Sequence, residues 1–548
     1  MSRCLRVLRL PILLFLISSA APAGAPDSLI RLYDVTHYDL SIRLNLVRKT
    51  FDGSVLVTAR ALEPLKEILL HASNETLTID SVKSGDRRRP FHHQHGIIAA
   101  SLPMTAMSQE TVSIQVWYHG ISNFQGEYDA GGVFFSAPDR AATISEPNFA
   151  RTWWPCKDHP SDKATVAVTI TVPKPLTAVS NGLLMNTSGD DSTSTFAWRT
   201  AYPTATYLVS IAAADYRKIT ETYTGLDGKK MTVLYYVYPA HVEKARRDFE
   251  STTNILQFFA RTFCEYPFLN EKLSYAEVDG DLTMENQTAI SIQQSIITGD
   301  QTSESIIVHE TAHQWWGNLL TPVDWRHTWL SEGFATYAEA LYREFTYGRK
   351  SYDKYIEYLM SGEQGQLAGP VFGRSDTAFW DSFHPRVYTK GAIALHMLRG
   401  VVRDSLFFMI MRNYLNDADH RYGNVSTEDF IRECERGYGG NLRWFFDEWV
   451  FASTDSIDRP EYEYQWTSRK NDRAFVVRLD LTQTRASLQL FRMPMSVTVS
   501  TLHTARVFTV TDSLAQQSFA FTVEEQPIAV EIDTENYVFK ILKKKEGD

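Results

Sequence analysis

His309-Glu310-Thr311-Ala312-His313, followed after eighteen intervening residues by Glu332 in Trp329-Leu330-Ser331-Glu332-Gly333-Phe334, sets two imidazoles and two carboxylates at spacings that can hold and use a divalent metal. Histidines four apart project from one face of a helix, because four residues are slightly more than one turn, so both rings reach a single ion. Glu310 lies beside that face. As a free carboxylate it can take a proton from a metal-held water rather than bind the metal itself. Glu332 falls in an apolar-periodic stretch, Thr328 to Tyr342, separated from the first helix by a break at Thr321-Pro322. Two antiparallel helices would bring it round as a third protein ligand. Two histidines, one carboxylate and an open fourth position describe a catalytic site for one Zn2+ per chain. A metal-bound histidine gives its second nitrogen a partner, and Glu339, two turns beyond Glu332, is a candidate, with an exposed helix charge as the alternative.

Three further clusters carry chemistry-bearing residues: Met284-Glu285-Asn286, Tyr388-Thr389-Lys390-Gly391 and Glu146-Pro147-Asn148-Phe149-Ala150-Arg151. Together with the metal motif and its spacing, they resemble the zinc aminopeptidases of the aminopeptidase N and leukotriene hydrolase superfamily, a group of gluzincin metallopeptidases. The resemblance spans nearly all of the chain beyond residue 25. It implies that Glu285 binds the free α-amino group of a peptide, with Met284 and Asn286 lining the same stretch of cleft. It implies a second amine anchor at Glu146, and an oxyanion-stabilising hydroxyl at Tyr388. A carboxylate pair around an ammonium fixes the N-terminus at a set distance from the metal. The implied reaction is release of N-terminal residues from peptides, with Glu310 as general base. Where the family has Gly-Ala before the methionine, this chain has Leu282-Thr283, and leucine resists backbone conformations that glycine permits. Other readings of the same residues are a thermolysin-type endopeptidase, a hydrolase of non-peptide (epoxide-type) substrates and a non-catalytic peptide-binding protein. Many relatives continue into a helical C-terminal domain. This sequence stops about 95 residues after the catalytic helices, so a short form with a more open cleft is expected.

The elements that must position these residues follow from the pattern along the chain. Between Leu29 and about Asp215, alternation and β-branched residues give strands over Val35 to Leu46, Phe51 to Ala59, Thr111 to Tyr118, Ala164 to Val172 and Tyr207 to Ala213. Helical spacing begins near Pro239, with a strand at Lys272 to Val278, and returns in Val387 to Val402, Ser405 to Leu415, Thr427 to Gly437 and Trp444 to Phe451. Strands over Ala474 to Leu481, Met493 to Val499, Ala505 to Val510, Phe519 to Val523 and Ile528 to Ile532 suggest a small sandwich. The expected architecture is α+β and multidomain: an all-β N-terminal domain over 26–215, a mostly helical, thermolysin-like catalytic domain over 216–453 and a β-sandwich over 454–548. Trp315, Trp316 and Trp329 read as core. His92-His93-Gln94-His95 reads as a polar loop and Lys540 to Lys545 as a solvated end.

Composition narrows the setting. A net charge of −10 argues against nucleic acid as the main partner. Arg3, Arg6 and Arg9 precede an apolar run from Leu10 to about Ala21 and then Ala21-Pro22-Ala23-Gly24-Ala25, the order of a secretory signal peptide over residues 1–25, with an uncleaved anchor as the alternative. Past it, no stretch approaches the roughly 20 apolar residues of a spanning helix, so no integral membrane segment is expected after cleavage. An exported protein, periplasmic or extracellular, follows. The sequon Asn286-Gln287-Thr288 overlaps the expected cleft, which favours a bacterial source. Cys156, Cys264 and Cys434 are too few and too odd in number for a disulfide scaffold and read as buried thiols. Oligomeric state has no signature in the sequence.

Overall fold

The computed structural model describes residues 31–122, 131–280, 283–362, 367–376, 379–452, 459–487 and 489–545. The expected signal segment and Leu282 lie outside them. Alternation of buried and exposed residues builds the N-terminal unit. Tyr38, Leu40, Ile42 and Leu44 point inward from the strand Tyr33–Asn45, facing Val55, Val57 and Ala59 of Thr50–Ala61 across an antiparallel register. Lys163–Pro173 joins Tyr33–Asn45 in parallel, extending a nine-stranded sheet. A second sheet runs in the order Thr177–Ser180, Ile211–Ala214, Arg140–Ile144, Gly132–Ala137. Its strand Arg140–Ile144 ends two residues before Glu146. The expected strand from Tyr207 starts later, because Thr206–Leu208 form a single 3-10 turn.

The helical unit begins with strands rather than helices. Arg217–Thr224 and Lys230–Val237 form an antiparallel hairpin, and Lys272–Val278 and then Ala289–Gln293 add to it in parallel. Thr252–Thr262 packs against this sheet, and α1, Glu304–Ala312, meets it where Tyr275 hydrogen-bonds Thr311; α2, Trp329–Tyr347, packs on α1, and α3, Arg349–Ser361, and α4, Gly391–Val402, pack on α2 to frame the candidate site. The helix α3 has no counterpart in the sequence reading. The expected helix at Val387 opens instead as a π turn over Arg386–Lys390 that leads into α4. Trp315, Trp316 and Trp329 are buried in the core they were expected to fill. Among the described residues, no helix is long and apolar enough to cross a membrane.

The C-terminal region is β-rich. Its two sheets run Gln516–Val523, Ala474–Gln483, Glu461–Asn471, Ile541–Lys544 and Ala505–Asp512, Met493–Ser500, Ala529–Ile532. Their buried faces share one core with the helices above them, so this region is packed onto the helical unit. Two expectations are corrected here. The basic end is not merely solvated: Val538 and Phe539 are buried, Lys540 pairs with the buried Asp533, and Ile541–Lys544 adds a parallel edge strand that leaves its lysines in water. Nor is His92-His93-Gln94-His95 a loop. Phe91–Gln94 is a strand paired with Ile97–Ala106, and the turn falls on His95 and Gly96, both at positive φ, the two-residue connection whose twist suits a hairpin.

Candidate active site

Helix α1 and its C-cap present His309 and His313 on one face, and α2 lays Glu332 across from them. Glu332 Oε2 stands 3.3 Å from His309 Nε2 and 3.4 Å from His313 Nε2. Two features set this approach. Gly317 turns the chain after α1 with φ +115°, and a Cβ there would come within 2.4 Å of Ser331 Oγ, so only glycine lets α2 lie this close. Further along, Gly333 meets Gly391, where a Cβ would find the opposing Cα at 3.0 Å. That crossing seats the π turn, and with it Tyr388, over the ligand set: the Tyr388 and His309 rings stack 6.4 Å apart.

The outward nitrogens of both histidines are engaged. His309 Nδ1 is 3.0 Å from Glu339 Oε1, whose other oxygen accepts from the Tyr355 hydroxyl at 2.9 Å. His313 Nδ1 faces the Trp316 carbonyl and Ser331 Oγ, each at 3.0 Å. Each ring is thereby fixed with Nε2 toward Glu332. Ligands held at about 2.0 to 2.2 Å around a tetrahedral zinc stand about 3.4 Å apart, which is the separation found. The electrostatics agree. Burial works against charge on His313, yet Glu332 and Glu285 push it up to about 9, and Glu332 and Glu339 likewise raise His309 despite its burial. Burial would raise the Glu332 carboxyl, but the facing histidines hold it at about 2. Such a cluster calls for added positive charge, and a divalent cation supplies it.

Beside the ligands lie the other carboxylates. Glu310 is buried, its Oε2 has no hydrogen-bond partner, and burial, opposed by His309 and His313, brings it to about 7. Carboxylate oxygens of Glu146, Glu285 and Glu332 lie within 4.8 Å of one another. Burial raises Glu146, with the charge of Glu285 adding to it, and burial also raises Glu285. Glu285 Oε1 is enclosed and unpartnered. Its position is fixed through its own carbonyl, which accepts from Gln314 Nε2 at 3.2 Å and Asn318 Nδ2 at 2.8 Å, both just past His313. Glu146 is held from the other side: Asn148 Oδ1 accepts from Trp325 Nε1 at 3.1 Å, tying its loop to the turn that precedes α2. Burial and the nearby carboxylates keep the Tyr388 phenol protonated, hence a donor.

The structure thus brings His309, His313, Glu332, Glu310, Glu146, Glu285 and Tyr388 to one place. Asn286 is buried, with its amide donating to Ser291 Oγ inside the turn. Met284 joins a separate apolar group with Ala205, Tyr207, Leu208 and Trp325. Tyr207 and Trp325, as well as Ser331, Tyr355 and Gln314, escaped the sequence reading. Only Tyr355 carried a usable signal, its helical register on the segment after α2.

A model of the Peptidase family M1 domain matches residues 247–449, and one of the Peptidase M1 N-terminal domain matches 35–208. The glutamyl aminopeptidase of Sus scrofa is 27% identical over 449 residues, 76% of this chain and 47% of its own length. The chain therefore spans about half the length of the curated relatives it matches. Among solved structures, an M1 zinc metallopeptidase from Deinococcus radiodurans bound to a Tyr-Ser-Ala substrate is 25% identical with a TM-score of 0.68, over 77% of this chain and 95% of that one. Aminopeptidase A of Legionella pneumophila, with aspartic acid bound, shares the fold at a TM-score of 0.79 and 18% identity, over 94% of this chain and 60% of that one.

Proposed function

The chain belongs to peptidase family M1, and on that premise we propose that it is a zinc aminopeptidase releasing the first residue of peptides whose N-terminus is free. The observation that carries the reading is the carboxylate pair of Glu285, buried, and Glu146, half-buried, beside the metal ligands, within 4.8 Å of Glu332 oxygens. An ammonium satisfies these carboxylates, and its fixed place sets which peptide bond reaches the metal.

His309, His313 and Glu332 would hold the ion. When bound, zinc supplies an acidified water and a Lewis acid for the scissile carbonyl. Glu310, close to neutral in its proton affinity, takes the water's proton and passes it to the departing amine. Tyr388 donates its hydrogen bond to the oxygen on which negative charge develops. Glu339 and Ser331 keep the two rings aimed while this happens. The endopeptidase and non-peptide readings leave the Glu146 and Glu285 carboxylate pair without a role. The arginines and apolar run at the N-terminus support export, with a mature chain beginning near residue 26.

The experiment is Glu310→Ala. The variant should bind one zinc and lose hydrolysis of aminoacyl anilides, and undiminished turnover would remove the assignment.

A further inference from the structure

On the Nδ1 side of His309, away from the face that would hold the metal, α1, α2 and α3 line a solvent-open cavity of about 480 Å3 whose wall includes Ser305, Glu339, Arg343, Lys354, Tyr355 and Tyr358, with Lys354 and Tyr358 exposed. We propose that this cavity binds a small oxyanion, the phosphate or carboxylate group of a compact ligand, and that its occupancy is felt at the metal through Tyr355 and Glu339. The binding is independent of the aminopeptidase reading; only the read-out at the metal touches it.

The charges argue for an anion. Arg349, a few residues along, pairs with Asp353 and Glu344, and Arg399 of α4 pairs with Glu344 and Asp404. Arg343 has no such partner: among the described residues no carboxylate comes within ion-pair range of it or of Lys354, in a chain with more acidic than basic groups. Its guanidinium lies over the Tyr355 ring at 4.8 Å, and its Nε is shielded from water with no acceptor. The lining carboxylate, Glu339, is already engaged with His309 and Tyr355. What remains is a planar fork and a point charge, the pair that recognises oxyanions. The volume exceeds that of a bare phosphate and leaves room for an organic body against Tyr355 and Tyr358, whose ring centroids are 6.2 Å apart.

The link to the metal is short. Tyr355 lines the cavity and donates to Glu339, which holds His309. An anion offsets the Arg343 charge beside Glu339 and competes for the Tyr355 hydroxyl. Both changes make Glu339 a stronger acceptor and His309 a better metal ligand.

The test uses the zinc-loaded protein, with inorganic phosphate as probe at constant ionic strength, binding read by calorimetry and zinc loss by transfer to a chelator. Wild type should show one saturable site, weakened by about tenfold or more in Lys354→Met and in Arg343→Met. Phosphate should slow zinc release about two- to fivefold in wild type, less than the 10- to 100-fold that losing a ligand's hydrogen-bond partner costs, and should leave release from Lys354→Met unchanged. Acetate acting in the same Lys354-dependent way would support the shared oxyanion chemistry. Phosphate binding of equal strength in wild type and both variants, the behaviour of an anion held on the zinc itself, would overturn the site. Lys354-dependent binding with no effect on zinc release would overturn the link.

Discussion

Replacing Glu285 by glutamine tests how the site counts from an amino terminus. The change keeps shape and removes one charge from a group whose oxygens lie within 4.8 Å of those of Glu146 and Glu332. At an effective dielectric constant near 20, two carboxylates at that distance repel by about 3 kcal/mol, enough to keep a proton on the pair until an ammonium arrives. A charge-assisted hydrogen bond contributes about 1.5 to 3 kcal/mol, so kcat/KM for an alanyl anilide should fall about 10- to 150-fold. The fall should lie mainly in KM, because the amine contact is made before the transition state as well as in it. A second effect has a definite sign. The Glu285 charge helps to raise Glu146, so with glutamine in place Glu146 loses its proton at lower pH. Any acid limb of kcat/KM that reflects this pair should move to lower pH in the variant. The assay is kcat and KM from pH 5 to 9, with zinc content measured on the same samples. A variant within twofold of wild type at full zinc occupancy, or one that loses kcat alone at unchanged KM, would refute the reasoning.

Glu339→Gln should weaken zinc binding about 10- to 100-fold, because His309 Nδ1 loses its carboxylate partner; competition with a chelator reads this directly. Gly333→Ala forces a methyl group against the Gly391 backbone at 3.0 Å, so it should lower stability by about 1 to 3 kcal/mol in denaturant titrations and reduce kcat by shifting Tyr388 relative to Glu332.

How much of this was legible in the sequence depended on range. His309, His313 and Glu310 could be read because a helix converts spacing into a shared face, and Glu332 because one break and one further helix bring it back. Glu146 lies far from Glu285 in sequence, at the end of a strand in a different sheet, and no local pattern joins the two; motif resemblance alone suggested the pair. The packing that holds them was hidden for the same reason. Trp325 and Asn148 are tied across 177 positions, and Tyr207 had the appearance of a strand residue until the 3-10 turn placed it against Met284. Apolar periodicity marked Val387 onward as helix but could not show the π turn at Tyr388, which depends on the Gly333 and Gly391 contact between helices. At Lys540 to Lys545 charge suggested solvent, while backbone pairing with Glu461–Asn471 decided the outcome.

The most direct measurement compares wild-type kcat/KM for one short peptide with its N-terminus free and with the same peptide N-acetylated. With Glu146 and Glu285 holding the amine, the free peptide should be cleaved after its first residue, and the acetylated one, lacking the ammonium and bringing a neutral group to the carboxylate pair, at least about 100-fold more slowly. Equal rates on the two peptides, or cleavage of the acetylated one at an internal bond, would contradict the account.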